Sequence, residues 1–406
     1  MDVRSELEGL VAFEGRAPGT DAERRAAQHL ARRLRESGRE AEVESIEVRP
    51  SWPLTHLVHA LLAIAGSLLA VALPVAGLVL LFVAAVSTLG DLTGTFFLVR
   101  RITPRRASQN VLSREDSEKG GILVLVAHYD APRTGALFAR RALALRASLG
   151  KRIRRPIGPA GIFFWSIIVL FVCAGLRLLG IESLPLTVVQ FVPTVLLILS
   201  VPLLADVQLG RTAPGANDNA SGVAAALELA DRYGGALEHF NLWVLLTGAA
   251  DGMGLGMREW LRAHRHELHP ERTVFLNLDQ VGAGTVRFAS REGLVFTYPF
   301  HPQLVELCNG LAEADADGRY GAKPVASRFT SDAHVARTKG YAATTISCLG
   351  ALDHYAHYRQ PTDTPEQIDA DALERALGFT SALIERVDER IGPELGGNAT
   401  ETVLPD

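Results

Sequence analysis

Leu125-Val126-Ala127-His128-Tyr129-Asp130 and Pro214-Gly215-Ala216-Asn217-Asp218-Asn219-Ala220-Ser221-Gly222 are the two stretches that decide the fold. In the first, an apolar run ends in a histidine and an acid, and in the second, small residues surround an acid. Two further apolar runs lead to Asp251 and Asp279 in the same way. Sites in open α/β sheets are built at the carboxyl ends of the strands. Together the stretches therefore indicate half of a two-metal site.

The type of side chain at these strand ends supports metal binding. A carboxylate that follows an apolar strand is costly to bury unless it is paired or bound to a metal, so Asp279 is a candidate ligand. His128 is a stronger candidate because of Asp130. This acid, two residues later, can accept a hydrogen bond from the imidazole and so orient it. Gly215 and Gly222 suit a tight turn whose backbone approaches the ions.

Hydrophobic periodicity predicts an α/β fold, with a mostly parallel mixed sheet and helices on both faces. Thr364-Pro365-Glu366-Gln367 has the pattern of a capping box and predicts the start of the last helix. The predicted helices are 20–37, 222–233, 253–264, 302–314 and 365–391, and the predicted strands are 41–48, 110–112, 122–127, 240–246, 274–278 and 342–347.

Two apolar inserts predict four transmembrane helices. Segment 54–90 contains no charged residue, and as one helix it would be roughly 55 Å long, against about 30 Å for a bilayer core. Pro74 marks a turn between spans 56–73 and 75–99, and the second insert gives spans 158–176 and 184–204. Asp91 in the second span should face protein or the interface. The alternative, four buried core helices, would leave little chain to cover them.

Charge predicts the orientation of these spans. Segment 100–157 carries fourteen basic and four acidic residues, a net charge of +10, whereas the whole chain has −4. The positive-inside rule places this segment in the cytoplasm, and because each insert is a hairpin, the other soluble parts share that side. The basic segment 136–157 is expected either to lie on anionic lipid or to be a solvated loop.

Two other classes of site are disfavoured by spacing. The three cysteines, Cys173, Cys308 and Cys348, have no paired or C-x-x-C spacing, which argues against a disulfide framework and a thiolate zinc site. The glycine cluster 248–256 follows a predicted strand, but its spacing is not that of a dinucleotide-binding loop.

In their order and residue patterns, these segments resemble those of the co-catalytic zinc exopeptidases of metallopeptidase family twenty-eight. That family includes bacterial aminopeptidases and glutaminyl cyclase. The resemblance covers 15–21 with the following helix, 110–132 and 214–387. It implies that His128 binds one zinc ion, that Asp218 bridges two, and that Asp279 completes the shell of the first. It further implies one or two zinc ions and a peptide or N-terminal amino acid as substrate. We expect the lipid bilayer as a partner and no nucleic acid, while protein partners are not indicated.

Departures from the family pattern affect the catalytic positions. The family has two adjacent glutamates after strand 240–246, a general base and a zinc ligand, where this chain has Ala250 and Asp251. Alanine accepts no proton, and the aspartate is one methylene shorter. The last family histidine is replaced by Arg359, which repels a metal ion. Either His354 or His357 supplies the missing ligand, or both are loop histidines and Arg359 fills the second position with fixed positive charge.

These expectations divide the chain into peptidase-like parts and inserts. The hairpins are 54–99 and 158–205, the basic interfacial segment is 136–157, the peptidase-like parts are 1–53, 100–135 and 206–391, and 392–406 is a disordered tail. We expect a membrane-anchored zinc exopeptidase-like protein of aminopeptidase type, cytoplasmic in its peptidase-like domain, with weak or lost activity. The alternative is a catalytically inactive, metal-binding pseudo-peptidase that recognises peptides or acts as a membrane scaffold.

Overall fold

The computed structural model describes residues 3–153, 158–350 and 353–393. Helices and strands alternate along most of the chain. The α-helices are α1 Val3–Val11, α2 Asp21–Glu36, α3 Trp52–Ala72, α4 Pro74–Thr93, α5 Arg140–Ile153, α6 Pro159–Leu178, α7 Leu184–Leu209, α8 Ser221–Tyr233, α9 Leu255–Ala263, α10 Pro302–Ala314, α11 Asp332–Thr338 and α12 Ala370–Arg390. The strands are β1 Glu42–Val48, β2 Arg106–Ser113, β3 Gly121–His128, β4 Phe240–Thr247, β5 Thr273–Leu278, β6 Thr285–Glu292, β7 Tyr298–Pro299, β8 Lys323–Ser327 and β9 Ala342–Leu349.

One mixed sheet holds all these strands, in the order β1-β2-β4-β3-β5-β9-β6-β7, with β8 paired to β6. The four central strands β4, β3, β5 and β9 are parallel, so their carboxyl ends meet at one edge. The pairs β1–β2, β2–β4, β9–β6 and β6–β7 are antiparallel. The predicted mixed α/β sheet is confirmed, with its parallel part at the centre.

Side chains of β3 alternate between two apolar layers. Leu123 and Leu125 pack with α1, α2, α8, α10 and α12 on one face. Val124 and Val126 pack with α9 and α11 on the other face. Burial on both faces explains why the strand is a continuous apolar run in sequence rather than an alternating one.

Four helices, α3, α4, α6 and α7, are long and apolar enough to cross a membrane, with mean hydropathy of 1.9 to 2.3. They pack together, so the two hairpins form one bundle although they are separated in sequence. Gly66 and Gly77 let α3 and α4 approach closely, because a Cβ on Gly77 would lie 2.5 Å from the backbone of Ala70. Hydrogen bonds from Gln190 of α7 to Ser67 of α3 join the hairpins.

The predicted second span, 75–99, ends too late. Helix α4 stops at Thr93, because Gly94 adopts a left-handed conformation with φ of 65° and caps the helix. Asp91, near this end, is buried rather than exposed to lipid. Its carboxylate accepts hydrogen bonds from Arg100 at 2.6 and 2.9 Å.

The start of the last helix also differs from the prediction. Thr364 makes no side-chain cap, and Pro365–Gln367 forms only a 3-10 turn before Ile368 becomes extended. The cap is Asp369, whose side chain accepts from the backbone N–H groups of Asp371 and Ala372. Strands β6 and β8 and helix α11 were not predicted. Most of the basic segment 136–157 is helical, as α5, and the predicted tail 392–406 lies outside the described residues beyond 393.

Candidate metal centre

Three of the predicted ligands meet at the carboxyl edge of the central strands. His128 is the last residue of β3, Asp279 follows β5, and Asp218 lies in the turn before α8. The Nε2 atom of His128 is 3.4 Å from Asp218 Oδ1 and 3.6 Å from Asp279 Oδ1. One ligand atom from each residue lies within 4.8 Å of the others, so the group could hold a metal ion.

The turn that carries Asp218 is tied to the residues around Asp279. The side chain of Asn219 donates to the carbonyl of Leu278 at 2.8 Å and accepts from the N–H of Gln280 at 2.7 Å. Gly222 is required here, because a Cβ would lie 2.3 Å from the Leu278 carbonyl oxygen. This turn therefore fixes the distance between the two acidic ligands, Asp218 and Asp279.

Asp130, the residue expected to orient His128, lies next to its imidazole. Its Oδ1 is 3.4 Å from the Nδ1 of His128, which also lies 3.2 Å from the Asp130 carbonyl oxygen. The same carboxylate accepts from the backbone N–H groups of Ala250 and Asp251, each at 3.0 Å. Asp130 thus connects the imidazole to the turn that follows β4.

A second buried carboxylate, Asp363, supports the Asp218 turn. It accepts from the N–H groups of Asn217 and Asp218 at 2.7 and 3.1 Å. Burial, assisted by the charge of Asp218, raises the pKa of Asp363 to about 7. In the sequence Asp363 is visible only as part of the phrase that follows Arg359, without a role.

Arg16 joins the two ligand-bearing loops and was missed by sequence reasoning. Its guanidinium donates to the carbonyls of Tyr129, Pro214 and Gly215 at 2.9, 2.7 and 2.6 Å. The side chain is fully buried, and burial lowers its pKa to about 10 although nearby carboxylates oppose the shift. Its only sequence signal is its place within the stretch 15–21, where the resemblance begins.

The electrostatics of the group favour a cation. Burial alone would lower the pKa of His128, but its contacts with Asp130, Asp218 and Asp279 outweigh burial and raise it well above the ordinary value. A fourth carboxylate, Asp332, is buried nearby, and burial raises its pKa to about 6. So much buried negative charge needs a compensating cation. One imidazole and two carboxylates are ligands suited to a divalent transition metal, and three protein ligands leave a position for water or substrate.

Asp251 and Arg359 form a buried ion pair beside this group. The guanidinium of Arg359 lies over the rings of Trp52, Phe138 and Tyr358, with centroid distances of 5.3, 4.9 and 5.3 Å. Burial opposes its charge, but Asp251, Tyr358 and Asp218 outweigh burial and raise the pKa of Arg359. Asp251 therefore faces a fixed cation, and the structure does not bring it into the His128 group.

The two candidate replacement histidines also lie apart from the His128 group. His357 Nδ1 is 2.9 Å from the hydroxyl of Thr362 on its own loop. His354 packs edge-on against Phe329, with ring centroids 5.1 Å apart. Within the part of the chain that the structure describes, neither imidazole joins the acidic ligands.

The chain is similar to a known peptidase family over part of its length. The sequence profile of Peptidase family M28 matches residues 200–384, which contain Asp218, Asp279 and Arg359 but not His128. No curated protein sequence is significantly similar to the chain.

Solved structures of low sequence identity share the fold. A Zn-dependent exopeptidase from Parabacteroides distasonis has a TM-score of 0.54 at 14% identity, with 96% of this chain and 97% of that chain covered. A zinc aminopeptidase from Bacillus subtilis has a TM-score of 0.55 at 14% identity, covering 95% and 94%. Porphyromonas gingivalis glutaminyl cyclase has a TM-score of 0.53 at 15% identity, covering 95% and 96%. The resemblance to family M28 is therefore confirmed, and the fold is similar to those of zinc aminopeptidases.

Proposed function

We propose that the chain is a membrane-anchored, exopeptidase-like amide hydrolase that binds one zinc ion through His128, Asp218 and Asp279. The observation that carries the proposal is the buried pair of Asp251 and Arg359, because these are the positions that the family resemblance assigns to a second ion. A guanidinium supplies positive charge there permanently and leaves no ligand free for a metal.

A bound zinc ion supplies a Lewis acid that lowers the pKa of water and polarises a carbonyl group. The protein itself holds the side chains of the site in fixed positions. Asp130 holds the Nδ1 side of His128, which leaves Nε2 to face the acidic ligands. The Nε and Nη1 atoms of Arg359 are buried and have no hydrogen-bond partner among the described residues, so they can donate to a substrate carbonyl oxygen.

The position of the family's general base is filled by Ala250, whose backbone N–H is engaged by Asp130. Loss of a general base typically lowers the rate about 10²- to 10⁴-fold. We therefore propose slow turnover of amino-acid amides or peptides rather than the rate of a complete two-metal centre.

The membrane location is part of the proposal. The lengths and hydropathies of α3, α4, α6 and α7 support a four-helix anchor. The basic segment 100–157 supports a cytoplasmic position for the sheet and the metal centre.

Metal content of the detergent-purified protein tests the proposal. We expect one zinc ion per chain, lost in Asp218→Ala and retained in Asp251→Asn, because only Asp218 belongs to the ligand group. The exposed acid Asp317 provides a control, since Asp317→Ala should keep the ion. Two ions per chain, or one that Asp251→Asn removes, would contradict the single-ion arrangement.

The second candidate function, a pseudo-peptidase, is favoured by one observation, the alanine at position 250. Such a protein would bind zinc and peptide without turnover. Zinc-loaded protein that binds a dipeptide reversibly, and releases no amino acid on prolonged incubation, would favour this candidate over hydrolysis.

A further inference from the structure

A cavity of about 1050 Å³ connects the membrane helices with the edge of the metal centre. Its apolar walls come from three helices, with Leu143 in α5, Phe163 in α6, and Leu197 and Leu204 in α7 among the residues that line it. Pockets for small organic ligands usually have volumes of about 300 to 1,000 Å³, so this space is large enough for an extended chain.

The opposite end of the cavity is polar and reaches the proposed site. Asp251 and Arg359 line it there, together with Glu292 and Tyr355. Arg359 and Arg328 both line the cavity, and among the described residues the Nε and Nη1 atoms of Arg359 and the Nε atom of Arg328 are buried without a partner. Unused buried donors are costly, which indicates a ligand that brings acceptor oxygens.

Charge at this end favours an anionic head group. Arg359 is already paired with Asp251, and four further basic side chains line the cavity, against two further acids, Glu292 and Asp353; the basic residues are Arg146, Arg287, Lys323 and Arg328. Glu292 is buried, and its carboxylate already accepts from the backbone N–H and the hydroxyl of Ser331.

The apolar end is continuous with the lipid-facing surface of α7. Leu196 and Leu199 line the cavity, yet their exposed fractions are 43% and 57%. These side chains would contact acyl chains in a bilayer. A ligand can therefore enter from the membrane with its head group leading, so that the head group reaches Arg359 and the hydrocarbon chain stays in the apolar part of the cavity.

We propose that the substrate is an N-acyl amino acid, with a single hydrocarbon chain in the cavity and an amide carbonyl oxygen that accepts from Arg359. This rests on the proposed function and names its substrate class. Hydrolysis would break the amide C–N bond, with the hydroxyl of water going to the carbonyl carbon and the proton to the nitrogen. The products are a fatty acid and a free amino acid.

Photo-crosslinking of the full chain in lipid nanodiscs tests the proposal. The probe is N-dodecanoyl-glycine with a diazirine on the acyl chain, and labelled peptides are mapped by mass spectrometry. We expect saturable labelling of the cavity walls, which unlabelled N-dodecanoyl-glycine prevents. Ser200→Trp and Leu203→Trp place a bulky ring at two lining positions, so each should lower labelling about tenfold or more.

Ile198→Trp is the matched control, because Ile198 lies on the same helix, is 48% exposed and faces away from the cavity. It should label as the unmodified protein does. Asp218→Ala should lose zinc and turnover but keep saturable labelling, which separates failure of this proposal from failure of the proposed function.

Three results would overturn the inference. Labelling that does not saturate, or that a diazirine phospholipid of equal chain length reproduces, would show that bulk lipid fills the cavity. Labelling unchanged in both tryptophan variants would place the chain elsewhere. Stronger competition by glycine dodecylamide, which has an ammonium group instead of a carboxylate, would reverse the assignment of the head group.

Discussion

The guanidinium of Arg100 holds the carboxylate of Asp91 with two hydrogen bonds, at 2.6 and 2.9 Å, and its Nη1 also donates to the carbonyl of Gly252 at 3.0 Å. Asp91 belongs to α4, one of the four helices long and apolar enough to cross a membrane, whereas Gly252 follows Asp251 directly. One arginine side chain therefore connects the apolar helix bundle to the turn that carries the ion pair of the site.

Breaking this connection should destabilise the protein. Arg100→Gln leaves Asp91 as a buried unpaired charge, which typically costs about 3 to 5 kcal/mol, so the melting temperature in nanodiscs should fall. Adding Asp91→Asn should recover part of the loss, because the unpaired charge is then removed. Arg101→Gln at the exposed neighbour is the control and should melt like the unmodified protein. A melting temperature for Arg100→Gln equal to that of the control would show that the pair contributes nothing.

Restoring the family residues should restore a second metal position. Arg359→His removes the cation that opposes Asp251, so we expect zinc content to rise from one towards two ions per chain. Ala250→Glu alone should change turnover of amino-acid amides little, while the double variant should gain more than the product of the single effects. Metal analysis and initial rates check this, and multiplicative effects would mean that the two positions act independently.

Arg16 should control metal affinity without touching the metal. It holds the carbonyls on either side of the site, so Arg16→Met should weaken zinc binding about 10- to 100-fold, as loss of supporting contacts does in other metal sites. Competition with a fluorescent chelator measures the affinity. Arg25→Met provides the comparison, since Arg25 is exposed on α2, where it pairs with Asp21 and lies over the ring of Phe13. Equal affinities for the two variants would remove Arg16 from the site.

Glu292 should make the stability of the metal-free protein depend on pH. Burial raises its pKa from 4.5 to about 7, and the charge of Asp279 adds to this. The folded state thus binds the proton more tightly, so the stabilising contribution is complete below pH 4.5 and is lost as the pH rises to about 7. Glu292→Gln should remove up to about 3 kcal/mol of the pH-dependent part of the free energy of unfolding. The plot of melting temperature against pH should therefore become flatter. Glu313→Gln, at an exposed position, should leave the profile unchanged.

Thiol labelling of intact cells should report the orientation of the bundle. Arg106 is exposed at the start of β2, and Glu182 is exposed in the turn between α6 and α7. A membrane-impermeant maleimide should label Glu182→Cys from outside and reach Arg106→Cys only after the cells are opened. The native cysteines are buried and serve as a low background. Labelling of Arg106→Cys alone in sealed cells would place the site on the outer side.

The central part of the fold was predictable from sequence, because buried parallel strands are continuous apolar runs that end in polar ligands. His128 and Asp279 were selected for that reason, and Asp218 was selected because small residues surround it. Strand β6 was missed because Arg287 interrupts its apolar residues and the polar run Ser290-Arg291-Glu292 ends it, which gives a weak local signal. The role of Arg16 depends on contacts with residues more than one hundred positions away, and no local pattern encodes such contacts. Likewise, Arg359 could be identified as a substitution, but its enclosure by Trp52 and Phe138 could not, because these rings come from two distant segments.

Trp52 is both the first residue of helix α3 and a neighbour of Asp251, to which its indole N–H donates at 3.3 Å. If α3 spans the membrane as proposed, the site is fixed at a constant height above the bilayer, one side chain away from the start of that helix. Under the proposed anchoring, a substrate in the membrane can place its scissile bond at this height and reach Arg359. A soluble molecule with the same bond cannot reach Arg359 through the lipid. The anchor alone would then make the protein selective for membrane-bound substrates, without a separate recognition element.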